Sequence, residues 1–267
     1  MRLKFLSLAS GSSGNCYYLG NSRTGILIDA GIAIRTIKNG LKENDVAFES
    51  IVGVIITHDH ADHIKTVGVL ANKYNIPIYT TEMVHQGIDR SRWVSEKIYQ
   101  SRRVVEKDTA FQLFDFTITP FEVPHDGTDN VGFHIRYNGI QVVIATDLGY
   151  IPDIAADYLR LADYMVLEAN YDEEMLQQSR YPHFLKTRIK GTNGHLCNKQ
   201  TAEFLAQHYT EKLKHVFLCH LSKENNHPEL ALKTIEARLI QEDIKVGADL
   251  NLTILKRNSP TEVAFFD

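Results

Sequence analysis

Cysteine is scarce in this sequence, and basic residues are not in excess. Only three cysteines occur in 267 residues, and no two of them form a C-x-x-C pair. That odd, sparse set argues against a disulfide framework. The sequence has 29 lysines and arginines against 33 aspartates and glutamates, which gives a formal net charge of −4. This balance excludes a broadly basic surface, although a local basic groove remains compatible with it.

Long apolar runs are also missing. No run reaches the roughly 18–20 residues that a membrane-spanning helix needs. The apolar stretch KFLSL near the amino terminus is shorter than the core of a signal peptide, which has about 7–15 residues. We therefore expect a cytoplasmic protein with no membrane contact. No low-complexity segment, repeat or linker interrupts the sequence, which favours a single domain over residues 1–267.

Strand-like runs dominate the first 60 residues and alternate with helical patterns later. The early runs are RLKFLSL, CYYLG, TGILIDAG and SIVGVIITH. Helical spacing follows from about residue 64 to residue 74 and again from Glu82. FQLFDFTITPFEVPH predicts two strands separated by Pro120, and Asn138–Gly139 predicts the turn of a hairpin. YPHFLKTRIKGTNGH is expected to be irregular. The order of elements predicts an α/β fold, a four-layer αββα sandwich of two sheets between outer helices.

The stretch ITHDHADHI places three histidines and two aspartates in six consecutive positions, directly behind an apolar strand. His58, His60 and Asp62 lie at i, i+2 and i+4, a spacing that directs all three to one side of an extended chain. A loop that turns there could bring His63 to the same cavity. The cluster could bind metal ions, form a solvated polar turn or act as an acid–base site without metal. A polar turn would rarely need three histidines, and imidazole and carboxylate both bind zinc.

Three further candidate ligands each follow an apolar strand: His125 in EVPHDG, Asp147 in VVIATDLG and His220 in VFLCHLS. With these residues in order behind it, HDHADH resembles the H-x-H-x-D-H signature of the metallo-β-lactamase superfamily. The resemblance covers nearly the whole chain. It extends to Asp29 in LIDAG, a position that supports the metal loop in that superfamily.

The resemblance implies two metal sites. One ion would be held by His58, His60 and His125, the second by Asp62, His63 and His220, and Asp147 would bridge both. Two ions about 3.5–4 Å apart can share a hydroxide nucleophile and polarise the bond that it attacks. Histidine and carboxylate ligands suit Zn²⁺, Mn²⁺ and Fe alike. The remaining histidines, which we expect to be surface or core residues, are His85, His134, His183, His208, His215 and His227.

Two later features favour a phosphodiester substrate. Glu168 ends the strand in VLEANYD, and His195 directly precedes the helix predicted in NKQTAEFLAQHYTEKL. This pair is similar to the one in phosphodiesterases such as the transfer-RNA 3′-processing endonuclease, where it assists proton transfer to the leaving oxygen. The resemblance implies catalytic roles for Asp62, Glu168 and His195. The alternatives are a plain helix flank for His195 and a structural carboxylate for Glu168.

The opening SLASGSSGNCYYL, together with GHLCN and LSKENN, resembles the WalJ/VicX/YycJ group of metallo-hydrolases. That group implies a cytoplasmic bacterial 5′-to-3′ exonuclease that acts on DNA. Ser12, Ser13 and Asn15 are candidate phosphate contacts, although the small residues of this loop could simply allow a tight turn. Arg188 and Lys190 are candidates for the phosphate backbone, with a solvated surface loop as the alternative.

The sequence therefore predicts a dinuclear metal-dependent phosphodiesterase, a 5′-to-3′ DNA exonuclease with nucleic acid as its partner. The alternative enzyme is a hydrolase of a small thioester or lactone. A third hypothesis, from a different class, is a metal-bound binding or regulatory module without activity. The residues alone do not specify DNA over RNA, the polarity of the exonuclease or the oligomeric state.

Overall fold

This computed structural model describes residues 2–267 of the chain. They contain fourteen strands and nine α-helices, which loops connect. The strands are β1 Leu3–Ala9, β2 Cys16–Gly20, β3 Gly25–Ile28, β4 Ile51–Ile55, β5 Ile78–Thr80, β6 Arg102–Val104, β7 Phe111–Leu113, β8 Phe116–Glu122, β9 Val131–Tyr137, β10 Ile140–Ala145, β11 Tyr164–Glu168, β12 His215–Cys219, β13 Asn251–Ile254 and β14 Ala264–Phe266. The helices are α1 Ile34–Glu43, α2 Ala61–Ile64, α3 Val67–Tyr74, α4 Glu82–Arg90, α5 Asp153–Leu159, α6 Glu173–Gln178, α7 His183–Lys190, α8 Asn198–His208 and α9 Pro228–Ile240.

The strands form two seven-stranded sheets. The first sheet has the order β14-β1-β2-β3-β4-β5-β6, and the second has the order β13-β12-β11-β10-β9-β8-β7. In the first sheet, β3 to β6 are parallel to one another. In the second sheet, β10 to β13 are parallel. Each sheet therefore has a parallel half, in which the carboxyl ends of neighbouring strands lie at one edge and their loops meet there.

Apolar side chains fill three layers. Between the sheets, Phe5 of β1 packs against Phe217 of β12, with ring centroids 4.8 Å apart. On the outer face of the first sheet, Leu41 of α1 and Leu70 of α3 belong to a second buried cluster. Leu205 of α8 belongs to a third cluster, on the outer face of the second sheet. This arrangement of helix, sheet, sheet and helix confirms the predicted αββα sandwich.

The hairpin predicted at Asn138–Gly139 is confirmed. It joins β9 to β10, and Tyr137 pairs directly with Ile140. Both turn residues have positive φ, 47° at Asn138 and 85° at Gly139. Such values suit the two-residue turn whose twist matches that of the flanking strands, and asparagine and glycine adopt them at little cost.

The strand break predicted at Pro120 is wrong. β8 runs through Pro120, and the break lies at Phe114–Asp115, between β7 and β8. β7 pairs only along Phe116–Ile118, so β8 is an edge strand on that side at Pro120. A proline lacks the N–H of a ladder hydrogen bond, and edge positions tolerate that loss.

The stretch expected to be irregular before His195 contains the helix α7. Pro182 occupies its N-cap, and none of the eight residues of α7 is buried. A helix without a buried face has no apolar periodicity from which it could be predicted. Elements that the sequence patterns also did not indicate are α1, β6 and β14.

None of the helices in residues 2–267 is both long enough and apolar enough to cross a lipid bilayer.

Candidate metal centre

The histidine-rich loop begins where β4 ends and turns into the short helix α2. His60 lies on extended backbone and is the N-cap of α2, with φ −66° and ψ 149°. Asp62 and His63 then project from the first turn of α2. The alternation predicted from an extended strand therefore does not reach Asp62. Asp62 reaches the same cavity because the chain becomes helical at Ala61.

Close contact holds this loop against the end of β3. The backbone N–H of Asn15 donates to the Asp62 carbonyl at 2.8 Å, and the N–H of Ala30 donates to the His63 carbonyl at 2.7 Å. A Cβ atom built on Gly31 would overlap the carbonyl of Asp62. Glycine is therefore required at position 31, because any side chain would push the loop away.

One group of candidate ligands combines the loop with the segment after β8. Each of His58, His60 and His125 offers one ring nitrogen, and these three nitrogens lie within 4.8 Å of one another. The Nδ1 atom of His58 lies 3.0 Å from the Thr57 hydroxyl, and Nδ1 of His125 lies 2.9 Å from the Gly194 carbonyl. A carbonyl only accepts, so Nδ1 of His125 carries the hydrogen and Nε2 keeps its lone pair.

A second group lies beside the first. Asp62 Oδ2 is 3.6 Å from Nε2 of His63 and 3.8 Å from Nε2 of His220. Nδ1 of His63 donates to Asp29 Oδ2 at 2.7 Å, and Nδ1 of His220 donates to Glu168 Oε1 at 2.9 Å. A carboxylate therefore fixes the same tautomer in both rings, with Nε2 directed at the centre.

Asp147 lies between the two groups. Its Oδ2 is 3.3 Å from Nε2 of His63, and its Oδ1 is 3.8 Å from Nε2 of His125. It also shares a cluster of ligand atoms with His58. Its two oxygens thus face histidines of different groups, which is the position that a bridging carboxylate needs.

Backbone strain coincides with this centre. Asp29, Asp147 and His220 all adopt left-handed φ angles, 59°, 56° and 54°. For residues other than glycine such angles cost about 1 kcal/mol or more. Each of these residues follows the end of a parallel strand, where the strained angle turns its side chain towards the cavity.

The donor set fits divalent metal ions. Nε2 of His58 and Nε2 of His220 are buried and have no hydrogen-bond partner among residues 2–267. A buried polar atom without a partner costs roughly 1–3 kcal/mol. Coordination of an ion by these lone pairs removes that cost. Imidazole nitrogens and carboxylate oxygens are ligands of zinc and manganese.

The electrostatics of the site also suit cation binding. Burial lowers the pKa of His58 well below its ordinary value, and the neighbouring His63 acts in the same direction. Burial also lowers the pKa of His125. Neutral rings are the form that binds a metal ion. Burial opposes protonation of His63 and His220, yet the surrounding carboxylates raise the pKa of both rings well above the ordinary value, so a bound ion would displace their protons. Burial opposes ionisation of Asp147, yet the adjacent His220 and His63 hold its pKa well below the usual range.

Buried Glu168 pairs with half-buried His195 at the edge of the centre. Oε1 of Glu168 accepts from Nδ1 of His195 at 2.8 Å. Oε2 of Glu168 accepts from the backbone N–H groups of Leu148 and Leu196, both at 3.1 Å. Burial opposes ionisation of Glu168, yet His195 holds its pKa below the usual range. The His195 side chain is 16% exposed, so its ring borders both the ligands and solvent.

Of the loop residues expected to contact substrate, two are exposed and one is buried. Ser12 and Ser13 are exposed next to Asp62. Asn15 is buried, and its side-chain amide lies 2.9 Å from His63 Nε2 and 3.4 Å from Asp62 Oδ2. Its backbone N–H is also engaged, so Asn15 supports the ligand loop. The phosphate contact expected from Asn15 stays a prediction.

Arg188 and Lys190, the two basic residues of α7 expected to contact phosphate, are exposed but each has a polar partner. Arg188 Nε donates to Asp126 Oδ2 at 2.6 Å, and Lys190 Nζ lies 3.5 Å from the side-chain oxygen of Gln177. Arg188 is 53% exposed, so solvent still reaches it. Any phosphate that contacts Arg188 would compete with the carboxylate of Asp126.

Asp126 is a site residue that the sequence patterns did not indicate. Its Oδ1 lies 3.4 Å from Nε2 of His60 and 3.4 Å from Nε2 of His125. Its position directly after His125, in EVPHDG, was the available signal. Thr57, which donates to Asp29 at 2.9 Å through its hydroxyl, was likewise not indicated.

Comparison with known proteins places this geometry in a family. Residues 24–220 match a family model described as a Beta-lactamase superfamily domain. Exodeoxyribonuclease WalJ of Streptococcus pneumoniae is 36% identical over 249 residues, which are 93% of this chain and 93% of the relative. Exodeoxyribonuclease YycJ of Bacillus anthracis is 32% identical over 266 residues, which are 99% of this chain and 100% of the relative.

Solved structures share the fold. The metallo-β-lactamase fold protein YhfI from Bacillus subtilis superposes with a TM-score of 0.75 at 17% identity, over 100% of both chains. The short form of human tRNase Z superposes with a TM-score of 0.65 at 16% identity, over 97% of this chain and 98% of the other. The family match covers most of the chain, and the two exodeoxyribonucleases align along nearly all of it. The chain therefore belongs to the metallo-β-lactamase superfamily and, within it, to the group that contains WalJ and YycJ.

Proposed function

We propose that this chain is a metal-dependent phosphodiesterase, a DNA exonuclease that removes nucleotides in the 5′-to-3′ direction. The observation that carries the proposal is the hydrogen bond of 2.8 Å between Glu168 and His195, which holds an imidazole beside both ligand groups. The ring of His195 lies 5.0 Å from that of His125 and 5.2 Å from that of His220, measured between centroids. The names of the two relatives, both exodeoxyribonucleases, support the same class of substrate.

Two divalent ions would bind to the two groups of candidate ligands described above. Zn²⁺ and Mn²⁺ are the first candidates, and Fe is a further one. The residues that would hold them are His58, His60, His125, Asp62, His63, His220 and Asp147. Ions bound there supply Lewis acidity for the phosphate and charge neutralisation in the transition state. Asp147 contributes negative charge between the two groups.

His195 is suited to act on the leaving oxygen. Nδ1 donates to Glu168, so Nε2 is the nitrogen that can carry a proton to a departing alkoxide. The carboxylate of Glu168 is fully buried and stabilises the ring when it is protonated. Glu168 acts through His195 and is therefore a positioning residue.

Asp62 is suited to orient the attacking water. Its side chain is 23% exposed, whereas those of His63 and His220 are nearly completely buried. A partly exposed carboxylate at the solvent side of the ligands can accept a hydrogen bond from water and fix its direction. We assign Asp62 both a ligand role and this catalytic role.

We also propose the binding partner of the protein, its location in the cell and its domain organisation. DNA is the nucleic-acid partner, the cytoplasm is the location, and residues 1–267 act as one hydrolase domain. The superfamily match and the relatives that align over nearly the whole chain support these proposals.

A panel of substrates tests the reaction class. Purified protein with Mn²⁺ or Zn²⁺ is offered end-labelled duplex DNA, bis-p-nitrophenyl phosphate and a glutathione thioester. We expect hydrolysis of both phosphodiesters, and no hydrolysis by His58→Ala or by chelator-treated protein. Turnover of the thioester without turnover of either phosphodiester would replace the proposal with a thioesterase. Tight metal binding with no turnover of any substrate would favour a binding module.

A further inference from the structure

Trp93 is the only tryptophan of the chain, and its side chain faces solvent beside the candidate metal centre. It is 48% exposed, so about half of this large ring is accessible to a ligand. Its backbone is nevertheless anchored. The Trp93 N–H donates to the Ser91 hydroxyl at 3.3 Å, and the next residue, Val94, is buried against Gly68 of α3. The ring is therefore presented on a supported turn.

Two cavities share Trp93 and Lys65 as walls. One, of about 220 Å³, also includes Asp62, Ser12 and Ser13. The other, of about 240 Å³, continues along α3 to Lys73. Because Asp62 is a candidate metal ligand, the first cavity adjoins the candidate metal centre. A chain that leaves the centre on this side passes the tryptophan ring.

Two cations lie close to the ring, and Glu96 also lines the cavity along α3. Nζ of Lys65 lies 5.9 Å from the ring centroid, and the guanidinium carbon of Arg92 lies 5.4 Å from it. Within residues 2–267, neither Lys65 nor Arg92 forms a salt bridge with a carboxylate. By contrast, Arg188 on α7 is paired with Asp126. The cations near Trp93 are therefore available to an incoming anion.

We propose that Trp93 stacks on a base of single-stranded DNA while Lys65 contacts the adjoining phosphate, so that the strand enters the centre past Asp62. The inference rests on the proposed function and names the surface that would bind the substrate. An exposed aromatic ring flanked by unpaired cations is the combination that binds unpaired nucleotides without sequence preference. The exposed hydroxyl of Ser12 lines the same cavity and provides a further donor to phosphate, whereas the hydroxyl of Ser13 donates to Asn258 Oδ1 at 2.8 Å.

The fluorescence of the single tryptophan reports on this surface directly. The metal-loaded protein is titrated with a five-nucleotide single-stranded DNA whose linkages are phosphorothioates, which resist hydrolysis. We expect saturable quenching of the emission, weakened by salt because phosphate contacts release counterions. In Lys65→Gln, quenching should require more DNA and depend less on salt. Emission that stays unchanged at high DNA concentration would overturn the proposal.

Steady-state kinetics on DNA give a second readout. We expect Trp93→Ala to raise KM by roughly tenfold and to leave kcat nearly unchanged, since stacking lies away from the reacting phosphate. Trp93→Phe should restore most of the affinity. The matched control is Phe114→Ala, which removes another exposed ring, 64% exposed, that lines neither cavity. It should retain the wild-type KM.

The two proposals fail in different ways. If the wild-type protein hydrolyses no DNA, the proposed function fails, while quenching still decides whether Trp93 stacks on bases. If DNA is hydrolysed and Trp93→Ala keeps the wild-type KM, the stacking surface is wrong and the nuclease assignment stands.

Discussion

At the scale of single residues, His195 has one ring nitrogen committed and one available. Nδ1 donates to Glu168 at 2.8 Å, and the His195 ring also shares a cluster of possible ligand atoms with Asp147, Glu168 and His220, although the two proposed sites are complete without it. His58, in contrast, has a buried Nε2 atom with no partner in residues 2–267. Loss of these two histidines should therefore have different consequences.

His195→Ala should keep both metals and lose most of its turnover on DNA. General-acid assistance is typically worth about 10²–10⁴ in rate. Bis-p-nitrophenyl phosphate has a leaving group that needs little protonation, so its hydrolysis should fall much less. Rates on both substrates, measured with metal content, test this expectation. Equal losses on the two substrates would instead indicate that His195 positions the phosphate.

Asp147→Ala should lose metal and activity together. The carboxylate contacts histidines of both ligand groups, at 3.3 Å to His63 and 3.8 Å to His125, so its removal leaves the charge of two adjacent ions uncompensated. Elemental analysis of the purified variant gives the metal content per chain. Full occupancy with retained activity would remove Asp147 from the centre.

At the scale of secondary-structure elements, Asp29 couples the end of β3 to the loop after β4. It accepts hydrogen bonds from the Thr57 N–H at 2.9 Å and from His63 Nδ1 at 2.7 Å. His63, whose ring donates to Asp29, is a candidate metal ligand. The strained φ of Asp29, 59°, is the conformation that brings these groups together.

Asp29→Asn should weaken metal binding by about 10–100-fold, the usual effect of losing a carboxylate behind a metal-bound histidine. Competition with a chromogenic chelator measures the affinity. Asp45→Asn is the matched control, because Asp45 also has a left-handed φ, 54°, but lies exposed in a turn. Wild-type affinity in Asp29→Asn would show that the ligand loop does not depend on β3.

The helix α7 offers a test of the basic residues outside the Trp93 surface. If Arg188 and Lys190 contact phosphates, replacing both by glutamine should weaken DNA binding and make it less dependent on salt. Hydrolysis of a small aryl phosphodiester should barely change. An unchanged salt dependence would leave Arg188 as the partner of Asp126 alone.

What the sequence could predict at this scale depended on burial. β1, β4 and β12 are apolar, largely buried runs, so their composition indicated strands. The helix α7 buries no residue, and its pattern therefore gave no signal. The ligand residues could be recognised because they follow buried strands. The contact of Asn15 with His63 and the proximity of Asp126 to His60 depend on how the loops fold over one another, which local sequence does not encode.

At the scale of the whole molecule, the candidate ligands join the two sheets. The loops of the first sheet carry His58, His60, Asp62 and His63, whereas the loops of the second sheet carry His125, Asp147 and His220. Ions held between these loops would cross-link the halves of the sandwich. We expect residues 1–267 to unfold as one domain.

Removal of metal should therefore lower the melting temperature. Free ion at 100 times its Kd stabilises the folded state by about 2.7 kcal/mol, which corresponds to roughly 5–10 °C for a protein of this size. Differential scanning calorimetry with and without chelator measures the shift. Asp147→Ala should show almost no shift. A wild-type melting temperature that does not respond to chelator would contradict a cross-linking role for the ions.

Degradation of end-labelled duplex DNA tests the central claim most directly. One duplex carries the label at the 5′ end of a strand and another carries it at the 3′ end, and each is followed over time with Mn²⁺. The account predicts early release of a labelled mononucleotide from the 5′-labelled strand and a ladder of shortening products from the 3′-labelled strand. Both reactions should be abolished by chelator and by His58→Ala. Cleavage that persists in His58→Ala with chelator, or intact DNA with a fully metal-loaded wild-type protein, would contradict it.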